Sequence, residues 1–153
     1  VPGSDLLNLI YKKKGKFSEK DIQKILKILL TTVQYLHENK IIHRDLKPGN
    51  ILFSDEDNYD SMKIIDFGLS INQSGKDKLR VGSPLYMSPE LVKGEFCYES
   101  DVWAIGVILF MILGIIIGAL DKYLRNNKLT ALIINTKIFC LSPRKLMTAV
   151  PLS

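Results

Sequence analysis

The chain has 153 residues, of which 46% are hydrophobic and 24% charged. That suits one domain with a real core and excludes both two domains of ordinary size and disorder of the whole chain. The net charge of +5 is modest; its densest local source, Lys12-Lys13-Lys14-Gly15-Lys16, reads as a solvated loop or as a patch for an acidic partner, and the lack of interleaved aromatic residues argues against nucleic acid.

In chain order, residues 1–10 read as a turn followed by a short amphipathic helix. Ser18 can cap a second helix, with Asp21 reaching back as in a capping box and Phe17 stapling to Ile22. Ile22, Ile25, Leu26, Leu29, Val33 and Leu36 then repeat at helical spacing, which predicts a long helix with one buried face, ending around residues 38–40. Ile41 and Ile42 lead into a polar loop, Ile51-Leu52-Phe53 reads as a buried strand, residues 54–61 as an acidic turn, and Met62-Lys63-Ile64-Ile65 as the partner strand. From Leu69 to Tyr86 the composition turns polar and glycine-containing, as in a mobile loop, where Ser74 is either a phosphosite or a solvated serine. The uncharged run 102–120, opened by Val102 and closed by Leu120, is long enough to cross a bilayer, yet a helix buried on every side gives the same pattern.

Cys97 and Cys140 lie far apart with no metal-like spacing, which predicts reduced thiols in a cytoplasmic protein. His37 and His43 lack a third ligand pattern, which argues against zinc, and His43 reads as a scaffold residue. No signal peptide opens the chain. It begins at Val1 rather than methionine, so the natural start is expected upstream.

The polar loop holds Asp45, Lys47 and Asn50 at alternating or near-alternating spacing, and a tight turn can aim all three at one point. Phosphoryl transfer asks for such a set: a carboxylate for the proton of an attacking hydroxyl, an ammonium for the charge on the moving group, and an amide oxygen for Mg²⁺. The stretch His43-Arg44-Asp45-Leu46-Lys47-Pro48-Gly49-Asn50 resembles the catalytic loop of eukaryotic protein kinases, with the lysine of the serine/threonine branch. Asp66-Phe67-Gly68 resembles the magnesium-binding triplet and Ser88-Pro89-Glu90 the triplet that closes the activation segment, in the family's order. In general tone the sequence is similar to the calcium- and calmodulin-regulated group.

The resemblance implies an α+β fold: the mainly helical large lobe of a protein-kinase-like fold, with a short β-hairpin at the catalytic loop. The small lobe is expected to be absent, because no glycine-rich loop, strand lysine or partner glutamate appears. It implies a serine/threonine kinase using ATP and Mg²⁺ on a protein substrate. In it Asp45 would act as base, Lys47 would neutralise the moving phosphoryl group, and Asn50 with Asp66 would hold the metal. Ser83 would bond Asp45 and Lys47, Asp5 would reach the ribose unless it only starts a helix, and Leu52 would floor the adenine as well as serve the core. Asp101 would anchor the catalytic loop.

The likeness covers residues 1–114 and weakens in a divergent tail, 115–153. There Leu146 stands where an arginine would pair with Glu90, and Arg144 is a substitute. The alternative function is a catalytically inactive, truncated module that binds partners. Calcium or calmodulin would act only through segments outside this sequence, since it contains no calcium-binding loop.

Overall fold

A computed structural model describes residues 3–13, 17–72, 75–76 and 81–113. Lys14, Gly15, Lys16, Ser74, Cys140, Arg144, Leu146, the tail 115–153 and the part of the apolar run that ends at Leu120 lie outside the described residues.

The first close approach is made by Gly3, where an added Cβ would lie 2.0 Å from the carbonyl oxygen of Phe53. Only glycine fits there. Ser4–Asp5 (β1) follows, and then α1 (Leu6–Lys13), which buries Leu6, Leu9 and Ile10. The strand was not legible in the sequence, because two residues show no period.

Helix α2 (Glu19–Glu38) starts as its sequence predicts: the Ser18 side chain accepts from the Asp21 amide, and the Asp21 carboxylate accepts from the Ser18 amide. Phe17 and Ile22 pack against the core half-buried, while Ile25, Leu26, Leu29, Leu30, Val33 and Leu36 are buried. Past the helix, Lys40 turns the chain with φ 61° into β2 (Ile41–Ile42).

After the polar loop come β3 (Ile51–Phe53) and β4 (Met62–Ile64), paired antiparallel with Ile51 opposite Ile64 and Phe53 opposite Met62. The strand β1 joins them to give the order β1-β3-β4. The acidic turn between β3 and β4 sends Tyr59 inward, edge-on to Phe53 with ring centroids 5.9 Å apart. The same turn answers part of the lysine run: Lys12 pairs with Glu56, Lys13 donates to the Tyr59 hydroxyl, and from α2 Lys24 pairs with Asp60 at 2.7 Å.

The segment expected to be a mobile loop contains β5 (Ile71–Asn72), antiparallel to β2, and β6 (Gly75–Lys76). It ends at α3 (Pro89–Val92), and β7 (Glu95–Phe96) then pairs with β6. The last described helix, α4 (Tyr98–Ile112), packs on α2 and buries Val102, Ala104, Ile105, Val107, Ile108, Met111 and Ile112. None of the described helices is long and apolar enough to cross a membrane. The all-round apolarity of α4 follows from burial. The architecture is the predicted α+β one, with long helices and short antiparallel strand pairs.

Candidate active site

The loop between β2 and β3 is held from below by α4. Asp101, 1% exposed, accepts the amide of His43 on Oδ2 at 2.9 Å and that of Arg44 on Oδ1 at 3.0 Å. His37, from the last turn of α2, meets Oδ2 at 2.9 Å. His43 is buried and both of its ring nitrogens serve the backbone. Nδ1 accepts from the Asp45 amide at 3.3 Å, so Nε2 carries the hydrogen and donates to the Ile65 carbonyl at 3.1 Å.

Beyond this anchor Leu46 is buried, and Pro48–Asn50 forms one tight helical turn in which proline needs no amide partner. Asp45 and Asn50 are consequently 7% and 6% exposed. The Asp45 carboxylate receives four donors. On Oδ1 these are the Ser83 amide at 2.9 Å and the Ser83 hydroxyl at 2.8 Å; on Oδ2 they are Lys47 Nζ at 2.7 Å and Asn50 Nδ2 at 3.2 Å. Lys47 Nζ also donates to Ser83 Oγ at 3.1 Å, and Asn50 Nδ2 to the Asp45 carbonyl at 2.9 Å. Burial alone would push the Asp45 carboxyl up, but the hydrogen bonds from Lys47 and Ser83, with the lysine charge, outweigh it and hold it below its usual range.

Ser83 reaches Asp45 because Gly82 precedes it. Gly82 has φ 112°, and a Cβ there would lie 2.7 Å from the Arg44 carbonyl oxygen, so the segment can pass this close only with glycine. Arg44 itself has φ 68°; its Nε donates to the Leu69 carbonyl and its guanidinium lies 5.0 Å from the centre of the Phe96 ring.

Asp66 stands apart from the bonded cluster. The Ile65 amide donates to the Asn50 carbonyl at 2.9 Å, one step past the β3–β4 register, so Asp66 follows directly from the partner of Asn50. It is exposed, with φ 63°, and accepts the Gly68 amide at 3.3 Å. Phe67 is 43% exposed and stands edge-on to His43 with centroids 4.9 Å apart. Asp5 and Leu52 are cross-strand partners in β1 and β3. Both Asp5 oxygens take Asn8 donors, the amide at 2.7 Å and Nδ2 at 3.0 Å; this caps α1, and Leu52 is half-buried.

Asn50 and Asp66 offer hard oxygen donors. The Nδ2 of Asn50 is committed to Asp45, and its Oδ1 has no hydrogen-bond donor among the described residues. An amide oxygen and an exposed carboxylate fit Mg²⁺, which takes few protein ligands and keeps waters and phosphate oxygens.

Glu90 is half-buried, and the Cys97 thiol lies 3.9 Å from its Oε1. Burial pushes the Cys97 thiol up, so the sulfur stays protonated. Sequence reasoning passed over Phe96, and it gave His37 no role at the site. Neither has a local signal, since each meets its partner only through the fold.

A family model, Protein kinase domain, matches residues 1–136. The chain is 47% identical over 113 residues to "Calcium-dependent protein kinase 6" of Plasmodium berghei, an alignment covering 72% of this chain and 8% of that protein. It is 40% identical over 113 residues to "Calcium/calmodulin-dependent serine/threonine-protein kinase 1" of Oryza sativa subsp. japonica, covering 72% of the chain and 19% of the relative. To "CDPK-related kinase 1" of Arabidopsis thaliana it is 42% identical over 113 residues, again 72% of the chain, and 20% of the relative. The chain therefore spans a fifth or less of the length of these curated relatives. Kinases of this kind use ATP with Mg²⁺ and act on proteins. The match over most of its length makes this chain a member of the protein kinase domain family.

Proposed function

We propose that this chain is the large-lobe portion of a serine/threonine protein kinase that transfers the γ-phosphoryl group of ATP to protein hydroxyls in the cytoplasm. Residues 1–114 carry the lobe and residues 115–153 a divergent tail. The observation that supports this reading best is the bonded cluster of Asp45, Lys47, Asn50 and Ser83.

In this reading Asp45 orients the acceptor hydroxyl and takes its proton. A carboxyl held low is a weak base, so the proton leaves as the new oxygen–phosphorus bond forms, which suits a loose transition state. All four acceptor positions of Asp45 are in use, so the incoming hydroxyl replaces one donor. The longest contact, Asn50 Nδ2 at 3.2 Å, gives way first, and Asn50 keeps its bond to the Asp45 carbonyl. Lys47 stabilises the negative charge growing on the transferring group, and Ser83 holds lysine and aspartate in register. When bound, ATP supplies the phosphoryl group and Mg²⁺ offsets the charge of its oxygens. Asn50 and Asp66 would hold the metal, Asp5 the ribose, and Leu52 the adenine. The names of the relatives point to calcium or calmodulin as regulator, acting through segments beyond these residues.

The test is Asp45→Asn in the complete enzyme. Transfer to a protein substrate should fall by about 10²–10⁴-fold, with the variant still folding and unfolding in one cooperative transition. Normal phosphorylation by this variant would sink the assignment.

A further inference from the structure

We infer that Phe96 is a positioning residue for the reaction, acting through Arg44; this rests on the kinase reading above. Arg44 immediately precedes Asp45 and adopts a left-handed backbone that side-chain-bearing residues rarely adopt, with φ 68°. Such a conformation persists only where surrounding contacts over-determine it.

Three contacts among the described residues do so. The Arg44 amide donates to Asp101 Oδ1 at 3.0 Å, its Nε donates to the Leu69 carbonyl, and its guanidinium lies over Phe96 with 5.0 Å to the ring centre. Through its carbonyl Arg44 also meets Gly82, which brings Ser83 to Asp45. A single arginine thus touches the beginning of the segment 69–83 at Leu69 and its end at Gly82.

Phe96 closes this arrangement from the far side. Its backbone pairs with Gly75 of the same segment across β6 and β7, while its ring takes the guanidinium. A flat aromatic face attracts a cation that an aliphatic side chain of similar bulk does not. Phe96 therefore couples the path of the segment to the direction of Arg44, and through Arg44 to the set of Asp45. It touches neither substrate nor nucleotide in this role.

The variants are Phe96→Leu, which removes the ring, and Phe96→Tyr, which restores it. In the complete enzyme Phe96→Leu should lower kcat by about 3- to 30-fold, the range a cation–ring contact supports, with the KM for ATP unchanged and Phe96→Tyr close to wild type. In the 153-residue chain the Arg44 Nε–H resonance should be protected from solvent exchange. That protection should be lost in Phe96→Leu and kept in Phe96→Tyr. If leucine prevents folding, Phe96→Met serves the same comparison. Retention of both kcat and the protected resonance in the ring-less variant overturns the inference. A wild-type enzyme without transfer activity, whose protection is nonetheless lost in Phe96→Leu, supports the positioning role and overturns the kinase reading alone.

Discussion

His37, in the last turn of α2, and Asp101, in the first turn of α4, are 64 positions apart and meet at 2.9 Å. The same carboxylate receives the amides of His43 and Arg44. One buried side chain thus holds the first two amides of the loop that leaves the β2–β5 pair.

Removing that side chain should unfold the loop's support. Asp101→Ala leaves two amides without their acceptor in a site where the carboxylate is 1% exposed. Buried donors left unsatisfied are expensive, and the expected loss is about 2–5 kcal/mol in urea unfolding of the chain. A loss below about 1 kcal/mol would show that water replaces the carboxylate cheaply.

Acid should expose the hydrogen bonding of Asp45. Burial raises its carboxyl, but donation by Lys47 and Ser83 overrides this and leaves it below the unfolded value of 3.8. The ionised group therefore stabilises the folded chain at every pH above that value, and the contribution disappears as pH falls through the folded-state pKa. In thermal unfolding the gap between wild type and Asp45→Asn should stay flat from about pH 8 to pH 5 and change only below about pH 4. A gap that moves near pH 6 would assign the stabilising titration to another group.

Gly82 tolerates no side chain. Its φ of 112° and the 2.7 Å approach of a Cβ to the Arg44 carbonyl make Gly82→Ala strained twice over. A loss of about 1–3 kcal/mol is expected in denaturant unfolding. Because Gly82 delivers Ser83, the protection of the Ser83 amide against hydrogen exchange should fall with it. An alanine variant with wild-type stability and protection would contradict this.

On the proposed kinase reading, a change at Asp66 should separate metal binding from folding. It is exposed, and among the described residues its hydrogen bond is from the Gly68 amide. Asparagine tolerates its left-handed backbone, with φ 63°, and removes the charge. Asp66→Asn should leave unfolding within about 0.5 kcal/mol of wild type, while the complete enzyme needs at least about tenfold more Mg²⁺ for half-maximal transfer. Equal Mg²⁺ requirements would remove Asp66 from the metal site.

Helices α1 and α2 and the β3–β4 hairpin were legible because each carries a local signature. Ser18 and Asp21 form the capping box that their spacing announces, and the apolar repeat from Ile25 to Leu36 marks the buried face of α2. The polar loop stood out as a set of residue types, Asp45, Lys47 and Asn50, which the fold joins in one hydrogen-bonded cluster. The short strands β1, β2, β5, β6 and β7 were not, since two residues have no period and form only where another segment offers a partner. The acidic turn was legible as a turn, but not that it buries Tyr59 and meets Lys12 and Lys13.

The sequence alone thus showed which residue types suit phosphoryl chemistry and where a long helix with one buried face would run, because side-chain chemistry and helical period are local properties. The Asp101 anchor and the Ser83 bond to Asp45 were expected from the family resemblance; only the tertiary structure decided that His37 joins Asp101, that Gly82 is what lets Ser83 come so close, and that Phe96 faces Arg44. Those contacts join residues far apart in the chain, and only packing of α2 against α4 and pairing of the short strands bring them within reach.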